Sequence, residues 1–143
     1  MPTKEKSLKA EVCRLLKSMQ TIHLATSDGK KPKVRPVTLI CYNKKYWVAT
    51  FTGCAKFKQL QKNPNFELLL LLPKDKSMGY IRGGGKARIV KDAKTKTLLA
   101  KNIPFFKEFW KSAADPGFAL LELKISAIEY MRPGEFLAHN FSL

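Results

Sequence analysis

Apolar residues near the start of the chain recur at helical spacing. In residues 3–20 they lie three or four positions apart, separated by Lys and Glu, at Leu8, Val12, Leu15, Leu16 and Met19. A stripe of this kind is typical of an amphipathic helix that buries one face. We therefore predict a helix over residues 3–20, packed on a core.

Three segments that follow have the composition of strands. Residues 21–27 alternate apolar and polar side chains, and Asp28-Gly29 is a strong hairpin signal before the next strand. Residues 34–42 and 46–51 are rich in Val, Ile, Tyr, Trp and Thr, and a turn at residues 43–45 joins them. The pattern predicts three consecutive strands connected by tight turns.

Three further strands are predicted in the second half. Residues 66–72, FELLLLL, are too uniformly apolar to be half exposed, so we expect a central strand covered on both faces. Residues 78–91 predict a long strand interrupted by three glycines at 83–85, which usually mark a bulge, a barrel corner or a close approach of another group. Residues 118–131 alternate again and predict the last strand.

Two short helices are expected before that last strand, over residues 93–101 and 104–112, with Pro104 between them. The second helix places four aromatic side chains largely on one side, Phe105, Phe106, Phe109 and Trp110. Such a helix seals the open side of a barrel or forms a subunit contact; alternatively, it forms an aromatic wall beside a planar ligand.

The order of these elements predicts the fold class. Six or more strands joined mainly by tight turns favour an antiparallel sheet closed into a small barrel, with an N-terminal helix and short flanking helices. The class is therefore mainly β with helices, or α+β. A chain of 143 residues fits one domain, over residues 1–143.

A short helix between the predicted strands is a candidate anion site. A bend at Gly53 follows the strand over residues 46–51 and leads into this helix, which stops at Pro64. Its free N–H groups and positive dipole end lie beside a strand end. Lys56 lies in its first turn, and Arg35 begins a neighbouring strand. Two cations with free N–H groups are what a phosphate-bearing ligand needs.

The charge balance limits the classes of ligand and partner that we expect. The chain carries 27 Lys and Arg against 11 Asp and Glu, a net charge of +16. This excess of positive charge favours anionic ligands or surfaces. The simplest interpretation of the charge is a solvated basic surface, and the alternative is a surface that binds nucleic acid or an acidic protein. No apolar run approaches the roughly 20 residues of a membrane span. The N-terminus has no apolar signal region, and three Cys without paired spacing favour a cytoplasmic location.

Candidate reactive side chains are few. With His23 and His139 as the two histidines, a hydrogen-bonded structural role for His23 is favoured over a metal site. Cys54, at a helix N-terminus next to Lys56, should have a lowered thiol pKa, which admits a redox role. No placed set of Asp, Glu or His indicates acid–base catalysis, so no catalytic residue is predicted.

Several motifs in order resemble a known family. They run through LATSDGKKPKVRPVTLICYNKKYWVATFTGCAKFKQLQKNP, GYIRGGGKARIVKD and ALLELKISAIEYMRPGEF, over most of residues 21–136. The R-P-V strand, K-x-x-Q-L helix, N-P stop and G-K-A resemble the pyridoxamine 5′-phosphate oxidase-like, FMN-binding split barrels, most of all the short general-stress-protein branch. The resemblance implies a homodimer with FMN at the subunit interface and hydride or electron transfer at the flavin N5.

The resemblance also implies a phosphate site. Arg35 matches the family arginine that binds the FMN phosphate, and Lys56 matches a second phosphate ligand at the helix start. Thr50 matches the strand-end threonine near the phosphate and ribityl chain. Cys54 stands where the family usually has Ser or Thr, so its default role is to replace that hydroxyl as a weaker donor.

Further matches concern the flavin ring. Pro36, Val37 and Thr38 match the strand whose backbone lies along the isoalloxazine. Tyr80, five residues before Gly85, matches a position from which the partner subunit often reaches the flavin.

Departures from the family argue against its named reaction. Ala55 replaces a phosphate-binding Arg of the true oxidases, and Ile40 replaces a Lys that helps hold pyridoxal phosphate. Residues 134–143 lack their Arg-rich substrate motif. We therefore expect an FMN-dependent oxidoreductase that does not oxidise pyridoxamine phosphate.

Two alternatives stay open. One is a non-catalytic module that binds flavin, heme or the cofactor F420 for storage, sensing or delivery. The other is a basic nucleic-acid-binding barrel, with Phe51, Tyr46, Trp47 and Tyr80 as stacking platforms.

Overall fold

A computed structural model describes residues 4–143 of the chain. The described residues form four helices, α1 (Lys4–Leu15), α2 (Ala55–Lys62), α3 (Ala93–Lys101) and α4 (Phe106–Phe109). They also form seven strands, β1 (Gln20–Ser27), β2 (Pro32–Tyr42), β3 (Lys45–Phe51), β4 (Asn65–Lys74), β5 (Ser77–Ile89), β6 (Phe118–Met131) and β7 (His139–Ser142).

The strands form a closed antiparallel barrel. Their order is β3-β2-β1-β4-β5-β6-β7, and β3 also pairs with β6, which closes six strands into the barrel. The N-terminal half of β6 carries β3 on one edge, and its C-terminal half carries β7. The predicted α+β split barrel is therefore confirmed.

The barrel interior is mainly aliphatic. Alternate residues of the strands point inward, and α1 adds Leu8 and Val12 from one end. In β4, Leu68 and Leu70 are buried, but Leu71 is 41% exposed. The expectation that this strand is covered on both faces is thus wrong for the single chain. A run of five leucines carries no alternation, so the sequence could not show which face is outside.

A second, aromatic cluster lies on the outer face of β3 and β6. Here α3 and α4 cover the sheet, with Trp110 packed on Phe118 at a ring-centroid distance of 5.0 Å. The predicted second helix is shorter than expected, since α4 spans four residues and leaves Phe109 52% exposed. Phe106 and Trp110 are buried on this outer face. The helix therefore covers the sheet from outside and does not seal an open side of the barrel.

Glycine is required where β5 and β6 approach each other. The strand register shifts between Gly84 and Gly85, which is the predicted bulge. A Cβ atom on Gly85 would lie 1.9 Å from the carbonyl oxygen of Lys124. Any other residue at this position would therefore force the two strands apart.

The end of the first helix and the last strand differ most from the sequence prediction. The first helix ends at Leu15, because the Gln20 side chain donates to the Leu15 carbonyl and Met19 adopts a positive φ of 69°. Strand β7 was not predicted at all. Its four residues have no strong pattern of their own and are held by pairing with residues 127–130 of β6.

Candidate functional site

The edge of β2 that faces away from β1 is open over most of its length. The strand pairs with β1 over Pro32 to Leu39, whereas β3 pairs with it only over Ile40 to Tyr42. Beyond this short hairpin β3 pairs with β6 instead. Among the described residues, no strand therefore covers this edge of β2 before Ile40, and its backbone groups can bind a ligand.

Helix α2 begins close to the end of β3. Its N-cap is Cys54, whose φ and ψ are extended, and Asn63 ends the helix with its N–H bonded to the Gln59 carbonyl at 2.8 Å. The first-turn N–H groups of Ala55 and Lys56 have no preceding carbonyl in the helix. This end of the helix is therefore electropositive.

Arg35 is held by neutral groups. Its guanidinium donates to the Leu24 carbonyl at 3.2 Å, to Thr26 Oγ1 at 2.7 Å and to Gln59 Oε1 at 3.3 Å. Partial burial lowers the pKa of Arg35, and the nearby Cys54 acts in the opposite direction. Arginine remains charged in proteins, and the described residues place no carboxylate in an ion pair with it. Its positive charge is thus available to a ligand.

Thr50, Cys54 and Lys56 form a second group at the same helix end. The Thr50 hydroxyl lies 3.3 Å from the Cys54 sulfur, and Lys56 Nζ donates to that sulfur at 3.6 Å. Partial burial acts to raise the pKa of the Cys54 thiol, but Thr50, the Phe57 backbone N–H and Lys56 outweigh it. The pKa therefore lies below its ordinary value, as the sequence suggested.

The structure brings together some of the candidate residues and separates one. Arg35, Thr50, Cys54 and Lys56 gather at the α2 N-terminus, and the open β2 edge continues from Arg35 through Pro36, Val37 and Thr38.

Tyr80 lies elsewhere in the chain. It is on β5, which is three strands from β2 in either direction around the closed barrel and therefore lies on its opposite side. Its hydroxyl donates to Glu129 at 2.8 Å. A contact between Tyr80 and a ligand at the α2 N-terminus would therefore have to come from a second copy of the chain.

Sequence reasoning missed two residues that position Arg35. Thr26 and Gln59 accept its hydrogen bonds, and Thr26 donates to Gln59 at 2.5 Å. Gln59 is the glutamine of the K-x-x-Q-L motif, three residues after Lys56. Helical spacing places these two on one side of α2, which is the signal that could have found Gln59.

The donor set fits a phosphate group. Arg35 and Lys56 supply two cations, and the start of α2 supplies backbone N–H groups. Ala55 contributes no polar side chain here, and the Cys54 thiol is a weak donor. The fit therefore rests on the two cations and the backbone.

Other classes of site find less support. Among residues 4–143, no three His, Cys, Asp or Glu side chains are grouped so that they could hold a metal ion. None of the helices in this range is long and apolar enough to cross a membrane.

Similar solved structures have this fold. A NimC/NimA family protein from Clostridium acetobutylicum is 23% identical, with a TM-score of 0.73 over 98% of this chain and 93% of that chain. General Stress Protein 26 from Bacillus anthracis is 24% identical, with a TM-score of 0.73 over 95% and 98%. A heme binding protein from Mycobacterium smegmatis is 12% identical, with a TM-score of 0.75 over 99% of this chain and 59% of that chain.

These likenesses, each below 25% identity, establish the fold alone. No curated protein is significantly similar to the sequence. Residues 8–132 match the family model for pyridoxamine 5′-phosphate oxidase, which covers most of the chain and includes β2, α2 and the barrel. The chain belongs to the pyridoxamine 5′-phosphate oxidase family.

Proposed function

We propose that the chain binds FMN at the α2 N-terminus and works as a flavin-dependent oxidoreductase. The observation that carries the proposal is the position of Arg35 and Lys56 beside the open edge of β2. Neither cation forms an ion pair with a carboxylate within residues 4–143. A phosphate at this helix end would supply the missing negative charge.

The chain's own residues would anchor and orient the cofactor. Arg35 and Lys56 hold the phosphate, and Thr50 lies at the strand end next to it. Backbone groups along residues 36–38 of β2 are available to hydrogen-bond the edge of the ring. Bound FMN supplies hydride or electron transfer at its N5 position.

The substrate differs from pyridoxamine phosphate. Ile40 stands where the oxidases have a substrate-binding lysine, and it is 1% exposed within the aromatic cluster. A buried isoleucine offers no charge to a substrate phosphate. We therefore propose an acceptor or donor of another class.

A homodimer is part of the proposal. Leu71 and Met78 are exposed on the outer face of β4 and β5, near Tyr80. In the loop after β6, Phe136 is 96% exposed and Leu137 is 78% exposed. Apolar surface of this kind favours contact with a second copy, which could bring its Tyr80 to the flavin.

The decisive experiment removes both cations. Each ionic contact contributes about 1.5–3 kcal/mol, so Arg35→Met with Lys56→Met should weaken FMN binding by at least about 100-fold. Methionine keeps much of the side-chain volume, and circular dichroism checks the fold. The matched control is Arg14→Met with Lys58→Met, which removes the same charge from exposed positions.

The readout is the visible spectrum after FMN addition and removal of free ligand. Flavin bands in the wild type and control, and none in the double variant, would support the proposal. Full flavin retention by the double variant would overturn it. A Soret band after heme addition, without flavin uptake, would overturn it in favour of a heme-binding function.

A further inference from the structure

A cavity lies between α2, the end of β5, α3 and the start of β6. Its volume is about 510 Å³, within the usual range for small-molecule sites. The residues that line it are Thr52, Phe57, Gln61, Ile89, Val90, Lys91, Lys96, Phe118 and Ala119.

This cavity is separate from the proposed phosphate site. Phe57 and Gln61 are one turn apart on α2 and line the cavity together. Gln59, which bonds Arg35, lies two residues from each of them and thus about 200° around the helix. The two sites therefore use opposite sides of α2.

One wall of the cavity carries a positioned ammonium group. Lys96 Nζ donates to the Phe118 carbonyl at 3.3 Å and lies 5.2 Å from the centre of the Phe118 ring. Lys96 and Lys91 form no ion pair with a carboxylate in the described part of the chain. A Lys ammonium has three protons, so Lys96 keeps donors for a ligand.

The remaining lining suits a flat apolar body. Phe57 contributes an aromatic ring and Ile89 contributes aliphatic surface, and both are partly exposed. The Phe118 ring is 1% exposed and lies beneath the Lys96 ammonium. Thr52 already donates its hydroxyl proton to the Pro116 carbonyl at 2.9 Å. Among residues 4–143, none of those that line the cavity is acidic. Its chemistry is a cationic end beside one accessible aromatic ring.

We propose that this cavity binds a small aromatic carboxylate. The carboxylate pairs with Lys96, with Lys91 at the rim, and the ring packs against Phe57 and Ile89. The proposal does not rest on FMN binding, because the cavity shares no cation with the phosphate site.

The test compares an anion with its neutral isostere. We would titrate 1-naphthoate and 1-naphthamide into the ¹⁵N-labelled protein and follow backbone amide shifts. The proposal expects saturable shifts at residues 89–91 and 96 with naphthoate, and binding of the amide at least about tenfold weaker. Equal affinity for both compounds, or shifts located elsewhere, would overturn it.

Variants separate the charge effect from a loss of fold. Lys96→Met should weaken naphthoate binding at least about tenfold and leave naphthamide binding unchanged. Lys101→Met removes a charge from the same helix outside the cavity and should have no effect. Unchanged naphthoate binding by a folded Lys96→Met protein would overturn the proposal. FMN uptake by that variant is measured in parallel, so failure of this site and of the flavin site are distinguished.

Discussion

Two arginines at opposite ends of the barrel have contrasting surroundings. Arg132 follows β6 and donates to both carboxylate oxygens of Glu11, at 2.8 and 2.7 Å. Tyr130 donates to the same carboxylate at 2.6 Å. At the other end, Arg35 bonds a carbonyl, a hydroxyl and an amide oxygen, all neutral.

The difference separates a structural ion pair from a candidate binding site. The Arg132 hydrogen bonds are the main reason that the pKa of Glu11 falls to about 2, and they tie α1 to the barrel. Among residues 4–143, no carboxylate neutralises Arg35 in this way, although hydrogen bonds to Leu24, Thr26 and Gln59 also hold its guanidinium. A fixed arginine without an internal anion is suited to bind an external one.

The largest effect should come from giving Arg35 an internal carboxylate. Gln59→Glu would convert the neutral acceptor into a partner like Glu11 and would repel a phosphate. FMN affinity should fall at least about 100-fold while stability is kept. Equilibrium titration monitors the affinity. Gln61→Glu adds the same charge on the opposite side of α2 and should leave most of the affinity intact; equal losses in both variants would refute the comparison.

The second effect concerns stability rather than binding. Arg132→Met leaves the Glu11 carboxylate with fewer partners and should lower the free energy of unfolding by about 1–3 kcal/mol. Arg35→Met should cost less than half of that, because Thr26 still donates to Gln59 and a partly buried charge is removed. Urea denaturation measures both. A larger loss for Arg35→Met would show that Arg35 is primarily structural.

A third effect is the pH dependence of the Glu11 contact. Its pKa is lowered from 4.5 to about 2, so its stabilisation is fully present above pH 4.5 and is lost as the pH falls towards 2. The stability difference between wild type and Glu11→Gln should shrink over that window. Glu5→Gln removes an exposed ion pair worth about 0–0.5 kcal/mol and should follow the wild type throughout. A difference in the free energy of unfolding between the wild type and Glu11→Gln that does not change with pH would contradict the lowered pKa of Glu11.

The smallest effect is on the Cys54 thiol. In a Cys13→Ser, Cys41→Ser background, its reaction with a disulfide reagent should begin at lower pH than that of an ordinary thiol. Lys56→Met should shift the pH–rate profile to higher pH, because one stabilising cation is lost. An unchanged profile would mean that Lys56 does not act on this sulfur.

Local signals predicted much of the fold. Residues 93–101 and 118–131 form the expected helix and strand with the expected bounds. Helical periodicity, strand composition and glycine placement all act over a few residues, so they are visible in the sequence. The early end of α1 and the pairing of β7 depend on Gln20 and on β6, which local patterns do not report.

The candidate site was only partly visible in the same way. The helix start, Lys56 and the lowered pKa of Cys54 follow from neighbouring residues. Strand order decides that Thr26 holds Arg35, and it also places Tyr80 on the side of the barrel opposite β2. Strand order is a long-range property, and no motif in the chain specifies it.

The sequence by itself determined the periodic elements, the excess of positive charge and the cationic helix start. Only the tertiary structure decided which arginine meets a carboxylate and which strand edge stays open. Arg132 and Glu11 are 121 residues apart, and Arg35 and Gln59 are 24 apart. Contacts over such separations form only when the barrel closes. Closure therefore pairs Arg132 with a carboxylate and surrounds Arg35, among the described residues, with neutral acceptors.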